Sequence, residues 1–96
     1  MANVTKKEIV EGIAEQTGIT QVDTKIVIES FLAAIADSLK DKRNIEIRGF
    51  GRFKVREKKA RQARNPRTGE KVFVESGIKP VFEASNDLKR YINEAT

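Results

Sequence analysis

Nine cations fall between Arg52 and Lys71 (Arg52, Lys54, Arg56, Lys58, Lys59, Arg61, Arg64, Arg67 and Lys71), and only Glu57 and Glu70 oppose them. This stretch carries a net charge of +7, while the rest of the chain holds ten cations against twelve carboxylates. The net +5 of the 96 residues is therefore concentrated in one contiguous piece. Positive charge gathered in this way creates a local field that attracts a polyanion, and its chemistry is that of binding.

The residue types refine that reading. Arg61, Arg64 and Arg67 surround the dipeptide Asn65-Pro66, with Thr68 just beyond. A guanidinium is less strongly hydrated than an ammonium and donates in a planar fork, which suits a narrow, electronegative groove. Lys54, Arg56, Lys58, Lys59 and Lys71 suit phosphates as point charges, and Lys6 near the N-terminus is a further candidate of that kind. Pro66 is rigid, apolar and without an N–H, so it can enter a stack of bases without stranding a donor. Asn-Pro also starts turns in any protein, and the two roles are compatible at the end of a hairpin.

Other chemistries are excluded by composition. The chain has no cysteine and no histidine, which removes disulfides, thiolate metal sites and the commonest general base. No nucleophile–base pair, phosphate-binding glycine loop or dinucleotide fingerprint can be assembled. A non-enzymatic protein is expected, with no cofactor, metal or small-molecule substrate. No signal peptide is visible from Met1 to Ile13. The longest apolar stretch, Ile26 to Ala36, is interrupted by Glu29 and Ser30 and falls short of the roughly 20 residues that span a bilayer. A soluble, cytoplasmic protein without a membrane partner is the expectation.

The elements that must position the basic segment follow from periodicity. Thr5 with Glu8 is a capping box that starts a helix ending near Gly18, and Thr20 with Asp23 starts a second helix in the same way. The second helix carries Val22, Ile26, Phe31, Leu32, Ile35 and Leu39 at three- and four-residue spacing. Lys40 to Asn44 reads as a loop. The period then falls to two: Ile45 and Ile47 mark one strand, and Phe53 and Val55 mark a second after a turn at Gly49-Phe50-Gly51.

Beyond Val55 the apolar partners vanish. Lys58 to Glu70 has no residue larger than alanine able to fill a core except Pro66, and apolar character returns only at Val72-Phe73-Val74. Asn65 to Gly69 has a dense turn signature, so the chain goes out and back as a hairpin arm over about residues 56–76. Its outgoing limb of about ten residues, at about 3.3 Å each, spans roughly 30 Å. One turn of duplex DNA is about 34 Å. Ile78, Val81 and Phe82 lead back to the body, and Ser85 caps a short last helix with Leu88, Tyr91 and Ile92. Phe50, Phe53 and Phe82 could stack on bases, but their alternation favours packing.

The expectation is a single α+β domain over residues 1–96: a helical-hairpin base, an antiparallel sheet with a long protruding β-hairpin arm, and a short C-terminal helix. The second helix is apolar over nearly half its circumference, more than a thin sheet and one short helix can cover. A homodimer is inferred from that excess.

Gly49-Phe50, Phe53, Lys58, Arg61, Ala63, Asn65-Pro66 and Thr68 resemble the arm signature of the bacterial HU and integration host factor family, and the similarity extends over essentially the whole chain, with two capped helices before the arm and, after it, a strand at Lys79-Pro80-Val81-Phe82 and a short helix to Ile92. Two departures stand out. Ala63 occupies a position where many members carry glycine, and the start of the last helix reads Glu83-Ala84-Ser85-Asn86-Asp87 where lysines are frequent. The resemblance implies an intertwined dimer with a saddle-shaped sheet, two arms that embrace double-stranded DNA from the minor groove, and a proline wedge at each tip, here Pro66. A nucleoid-associated protein that bends DNA with low sequence specificity is the function it implies. A site-specific bender like integration host factor and a structural RNA-binding protein are the alternatives. An acidic protein partner for the hairpin is a more distant one.

Overall fold

The computed structural model describes residues 2–94. The chain divides into two compact units, Met1–Asp37 and Ser38–Thr96.

The first unit is helical. Helix α1 (Lys6–Thr17) begins where the Thr5 side chain accepts a hydrogen bond from the Glu8 N–H at 3.2 Å. It ends at Gly18, whose φ of 79° lets its N–H reach the Ala14 carbonyl at 2.9 Å, a left-handed turn that glycine takes without strain. Helix α2 (Gln21–Lys40) is capped in the same way by Thr20, which accepts from the Asp23 N–H at 3.1 Å. The Thr5 and Thr20 hydroxyls cap these helices as expected from the sequence. Val10 and Ala14 of α1 and Thr24 of α2 are buried, whereas Val22, Ile26, Val27, Phe31 and Leu32 of α2 are each 47–69% exposed. Much of the apolar stripe that built this helix stays exposed.

Helix α2 runs one residue further than expected and ends in a hydrogen-bonded turn. The Arg43 N–H bonds the Ser38 carbonyl at 2.9 Å and the Lys42 N–H bonds that of Leu39 at 3.0 Å. This is the paired-bond termination usually completed by glycine; here Lys42 holds the left-handed position at φ 61°.

The second unit is built on an antiparallel sheet of order β1-β2-β5, formed by β1 (Ile45–Ile47), β2 (Gly51–Lys58) and β5 (Gly77–Ala84). Its register sets Ile45 opposite Phe53 and Phe53 opposite Phe82, and continues through Val55 and Pro80 to Lys58 and Gly77. Residues directly opposed share a face. One face therefore carries Ile45, Ile47, Phe53, Val55, Pro80 and Phe82, while the other carries Glu46, Arg52, Lys54, Arg56, Lys79 and Glu83. On the apolar face the Phe82 ring centroid lies 5.0 Å from that of Phe53 and 5.4 Å from that of Phe50. These rings pack on one another, as the alternation suggested.

Two details differ from the sequence expectation. The β1–β2 turn occupies Arg48 to Phe50, closed by the Phe50 N–H on the Ile47 carbonyl at 2.9 Å with Gly49 at φ 82°. Gly51 instead opens β2 and is buried. A Cβ there would lie 2.5 Å from the Glu83 carbonyl oxygen and 2.6 Å from the Phe82 ring, so glycine is what lets β5 approach. The second difference is the length of β5, a full eight-residue edge strand where the resemblance implies one at Lys79 to Phe82. Because the Val55 N–H points to the Asn44 side chain (3.4 Å), away from β5, Val55 and Pro80 form a pair without ladder bonds. The missing proline N–H costs nothing there.

The Ser85 N–H bonds the Phe50 carbonyl at 2.9 Å, and the Ser85 hydroxyl accepts from the Leu88 N–H at 3.0 Å. This caps α3 (Asn86–Glu94), on which Tyr91 is 75% exposed. Among the described residues, no helix is long and apolar enough to cross a membrane.

Candidate nucleic-acid interface

The arm is a separate two-stranded ladder of β3 (Arg61–Arg64) and β4 (Lys71–Val74), with Arg61 opposite Val74, Gln62 opposite Phe73, Ala63 opposite Val72 and Arg64 opposite Lys71. The return strand pairs within the arm and not with the body sheet. Val72 and Val74 share a face with Ala63, and Ala63 and Val74 are half-buried. The arm thus has a small apolar strip that comes from its return limb. The other face carries Gln62, Arg64, Lys71 and an exposed Phe73.

The tip is held by hydrogen bonds that its residue types supply. The Asn65 N–H bonds the Glu70 carbonyl at 2.8 Å and the Gly69 N–H bonds the Asn65 carbonyl at 2.7 Å, with Gly69 at φ 74°. The Asn65 side chain accepts from the Arg67 N–H at 2.9 Å, and the Thr68 hydroxyl accepts from the Glu70 N–H at 3.3 Å. Asparagine and threonine bracket the apex with local turns of this kind because their short side chains reach the backbone two residues on. Between them Pro66 is exposed, as are Arg64, Arg67 and Thr68, while Asn65 is half-buried. The sequence candidates at the tip are therefore of two sorts: Asn65 and Thr68 spend their oxygens on the turn, leaving Pro66 and the arginines outward.

Electrostatically the arm is unbalanced. Arg64 faces Lys71 across the ladder, and Arg56 faces Lys79 at the root. Like charges directly opposite destabilise a strand pair by roughly 0.2–1 kcal/mol, so each pair favours an anion placed between its members. Among the described residues, Arg56, Lys58, Lys59, Arg61, Arg64, Arg67 and Lys71 form no ion pair with a carboxylate.

The remaining candidates differ. Lys54 lies 3.3 Å from a Glu83 oxygen, and Arg52 lies 3.0 Å from the other. The Lys54 and Arg52 hydrogen bonds hold the Glu83 carboxyl below its ordinary 4.5. Lys6 is bonded to Glu29 at 2.7 Å within the helical unit, and holds the Glu29 carboxyl down likewise. The structure gathers the candidates from Arg56 to Lys71 into one arm and its root, and places Lys6 outside that unit.

Two cations escaped the sequence reading. Lys79 joins the polar face of the sheet opposite Arg56, a place that follows from the alternation of Ile78, Pro80 and Phe82 with Lys79 along the strand. Lys42, beyond α2, lines an open groove at the arm's root with Glu57, Lys58 and Lys59. No group of side chains suited to a metal ion occurs among the described residues. What the arrangement can do is grip an extended polyanion and present a rigid apolar ring to it.

Residues 4–93 match the family described as "Bacterial DNA-binding protein". The chain is 39% identical over 89 residues to integration host factor subunit alpha of Polaromonas naphthalenivorans, covering 93% of this chain and 72% of that one. It is 37% identical over 86 residues to DNA-binding protein HU-alpha of Vibrio cholerae, covering 90% and 96%. Among solved structures, a chain from an Anabaena HU–DNA cocrystal superimposes with a TM-score of 0.84 at 30% identity, covering 93% of this chain and 97% of that one.

Proposed function

The chain belongs to the bacterial DNA-binding protein family, the family of HU and integration host factor, and from that premise we propose that it is an architectural protein that bends duplex DNA as a homodimer. The observation that carries the reading is Pro66, exposed at the apex of a turn braced by Asn65 and Thr68 and flanked by Arg64 and Arg67, which have no carboxylate partner among the described residues. Arg56, Lys58, Lys59 and Lys71 engage phosphates along the arm, with Lys79 and Lys42 at its root. Arg61, Arg64 and Arg67 enter the minor groove, where the base pattern is degenerate, so shape is read more than sequence. Pro66 wedges into a base step. Unstacking there costs a few kcal/mol, offset by the additional contacts that a bent duplex permits.

The second copy answers the problem that one chain leaves open. A chain this small must bury roughly 60–65% of the surface it exposes when unfolded, yet α2 keeps Ile26, Phe31 and Leu32 about half-exposed. Two copies joined through that stripe cover it and supply two arms. The protein works in the cytoplasm on the nucleoid and catalyses no reaction, a view supported by its lack of histidine and cysteine.

The wedge is tested by comparing affinities for intact and nicked duplexes of one sequence. A nick removes part of the bending cost, so tighter binding to the nicked duplex is expected. Equal affinities would refute the wedge, and equal competition by double-stranded RNA, whose grooves differ, would favour an RNA-binding module.

A further inference from the structure

The polar face of the sheet continues from the body towards the arm, and its cations are not equally available. Arg52, Lys54 and Arg56 follow one another along β2 on that face, with Glu83, Val81 and Lys79 opposite them on β5. The Glu83 carboxylate takes the Arg52 guanidinium on one oxygen at 3.0 Å and the Lys54 ammonium on the other at 3.3 Å. Arg56 and Lys79, nearest the arm, have no carboxylate partner among the described residues. One side chain thus engages the two cations farthest from the arm and offsets one of their two charges. Free positive charge rises from the body of the sheet to its root.

From this gradient we infer that Glu83 sets the length of duplex the protein engages, confining contact to the arm and its root by withholding Arg52 and Lys54 from the flanking phosphates. The inference rests on the DNA-bending reading and deepens it. It does not need strong ion pairs. Arg52, Lys54 and Glu83 are 31–54% exposed, and pairs so exposed are individually weak. The effect comes from placement: Arg52 and Lys54 each direct a donor to a Glu83 oxygen, and a phosphate must displace that contact before either cation can bind it. An incoming phosphate meets two cations that share a carboxylate, and gains little.

Glu46 supplies the comparison within the same face. It lies opposite Arg52 across β1 and β2 and forms no ion pair among the described residues. Glu46→Gln changes the charge of this face by the same amount as Glu83→Gln without releasing a held cation.

The experiment titrates the full-length protein, as wild type, Glu83→Gln and Glu46→Gln, with duplexes of graded length at several salt concentrations. Freeing Arg52 and Lys54 in both protomers adds up to four phosphate contacts, which steepens the slope of log affinity against log salt by up to about 3.6. Between 50 and 200 mM salt, Glu83→Gln should lose up to about a hundredfold more affinity than wild type. Its affinity should also keep rising with duplex length after wild type has reached a plateau. A second variant, Glu83→Gln combined with Arg52→Gln and Lys54→Gln, should return to the wild-type plateau length. The inference is overturned if Glu83→Gln and Glu46→Gln behave alike, or if the triple variant keeps the longer site. Absence of any duplex binding by the wild type would sink the DNA-bending reading itself, a result distinct from either.

Discussion

Substitution of Arg64 by glutamine offers the most quantitative check on the arm. Arg64 is exposed beside the apex, faces Lys71 across the ladder and has no carboxylate partner among the described residues. Its charge is therefore uncompensated until a polyanion arrives. A dimer engaging about 6–10 phosphates should lose roughly 10³–10⁵-fold in affinity between 50 and 200 mM salt. Each neutralised phosphate contributes about 0.9 to the slope of log affinity against log salt, and a dimer has two arms. Arg64→Gln should then make that slope shallower by about 1.8, so the loss over the same salt range falls by about twelvefold. The assay is fluorescence anisotropy of a labelled duplex at four or more salt concentrations. Arg90→Gln, which removes a cation from α3 that is paired to Asp87 at 3.7 Å, is the control and should leave the slope in place. An unchanged slope for Arg64→Gln, or an equal change for Arg90→Gln, would refute the assignment of binding to the arm.

Other consequences are more structural. Gly51→Ala sets a methyl group against the Glu83 carbonyl and the Phe82 ring, and chemical denaturation should show a loss of about 2–3 kcal/mol, the scale of overpacking and backbone strain. If α2 is covered by a second copy, the melting temperature should rise with protein concentration, and Phe31→Asp should give a monomer by sedimentation with a much lower melting temperature. The Glu83 and Glu29 carboxyls are held below their ordinary 4.5 by Lys54 with Arg52 and by Lys6. A depressed carboxyl stabilises the fold above its unfolded value, and that contribution is lost as pH falls through the lower folded value. Denaturation midpoints should therefore decline below about pH 4.5, and less steeply in Glu83→Gln than in wild type.

What could be read from the sequence was whatever depends on local chemistry. Thr5 and Thr20 announce helix starts because their hydroxyls meet backbone donors three residues on, and Gly18 announces a stop because its φ is positive. The tip was legible for the same reason, since Asn65 and Thr68 shape it by bonds to residues two positions away. Pairing across the sheet was not legible. The resemblance implies a strand through Pro80, but only the register shows that its missing N–H faces away from β2. Without that register Lys79 had no face, and Glu83 could not be seen to hold Arg52 and Lys54. The turn at Arg48 to Phe50 was displaced by one residue because two glycines, Gly49 and Gly51, serve different purposes. One permits a positive φ and the other a close approach of strands.

The central claim is that DNA is held and bent by the arm's apex. The most direct measurement replaces Asn65 to Thr68 with a short glycine-containing turn and follows both affinity and end-to-end distance of a doubly labelled duplex. The apex-less protein should bind at least tenfold more weakly, on the scale of a lost charge-assisted contact in each arm, and leave the duplex nearly straight. Unchanged affinity together with an unchanged bend would contradict the account.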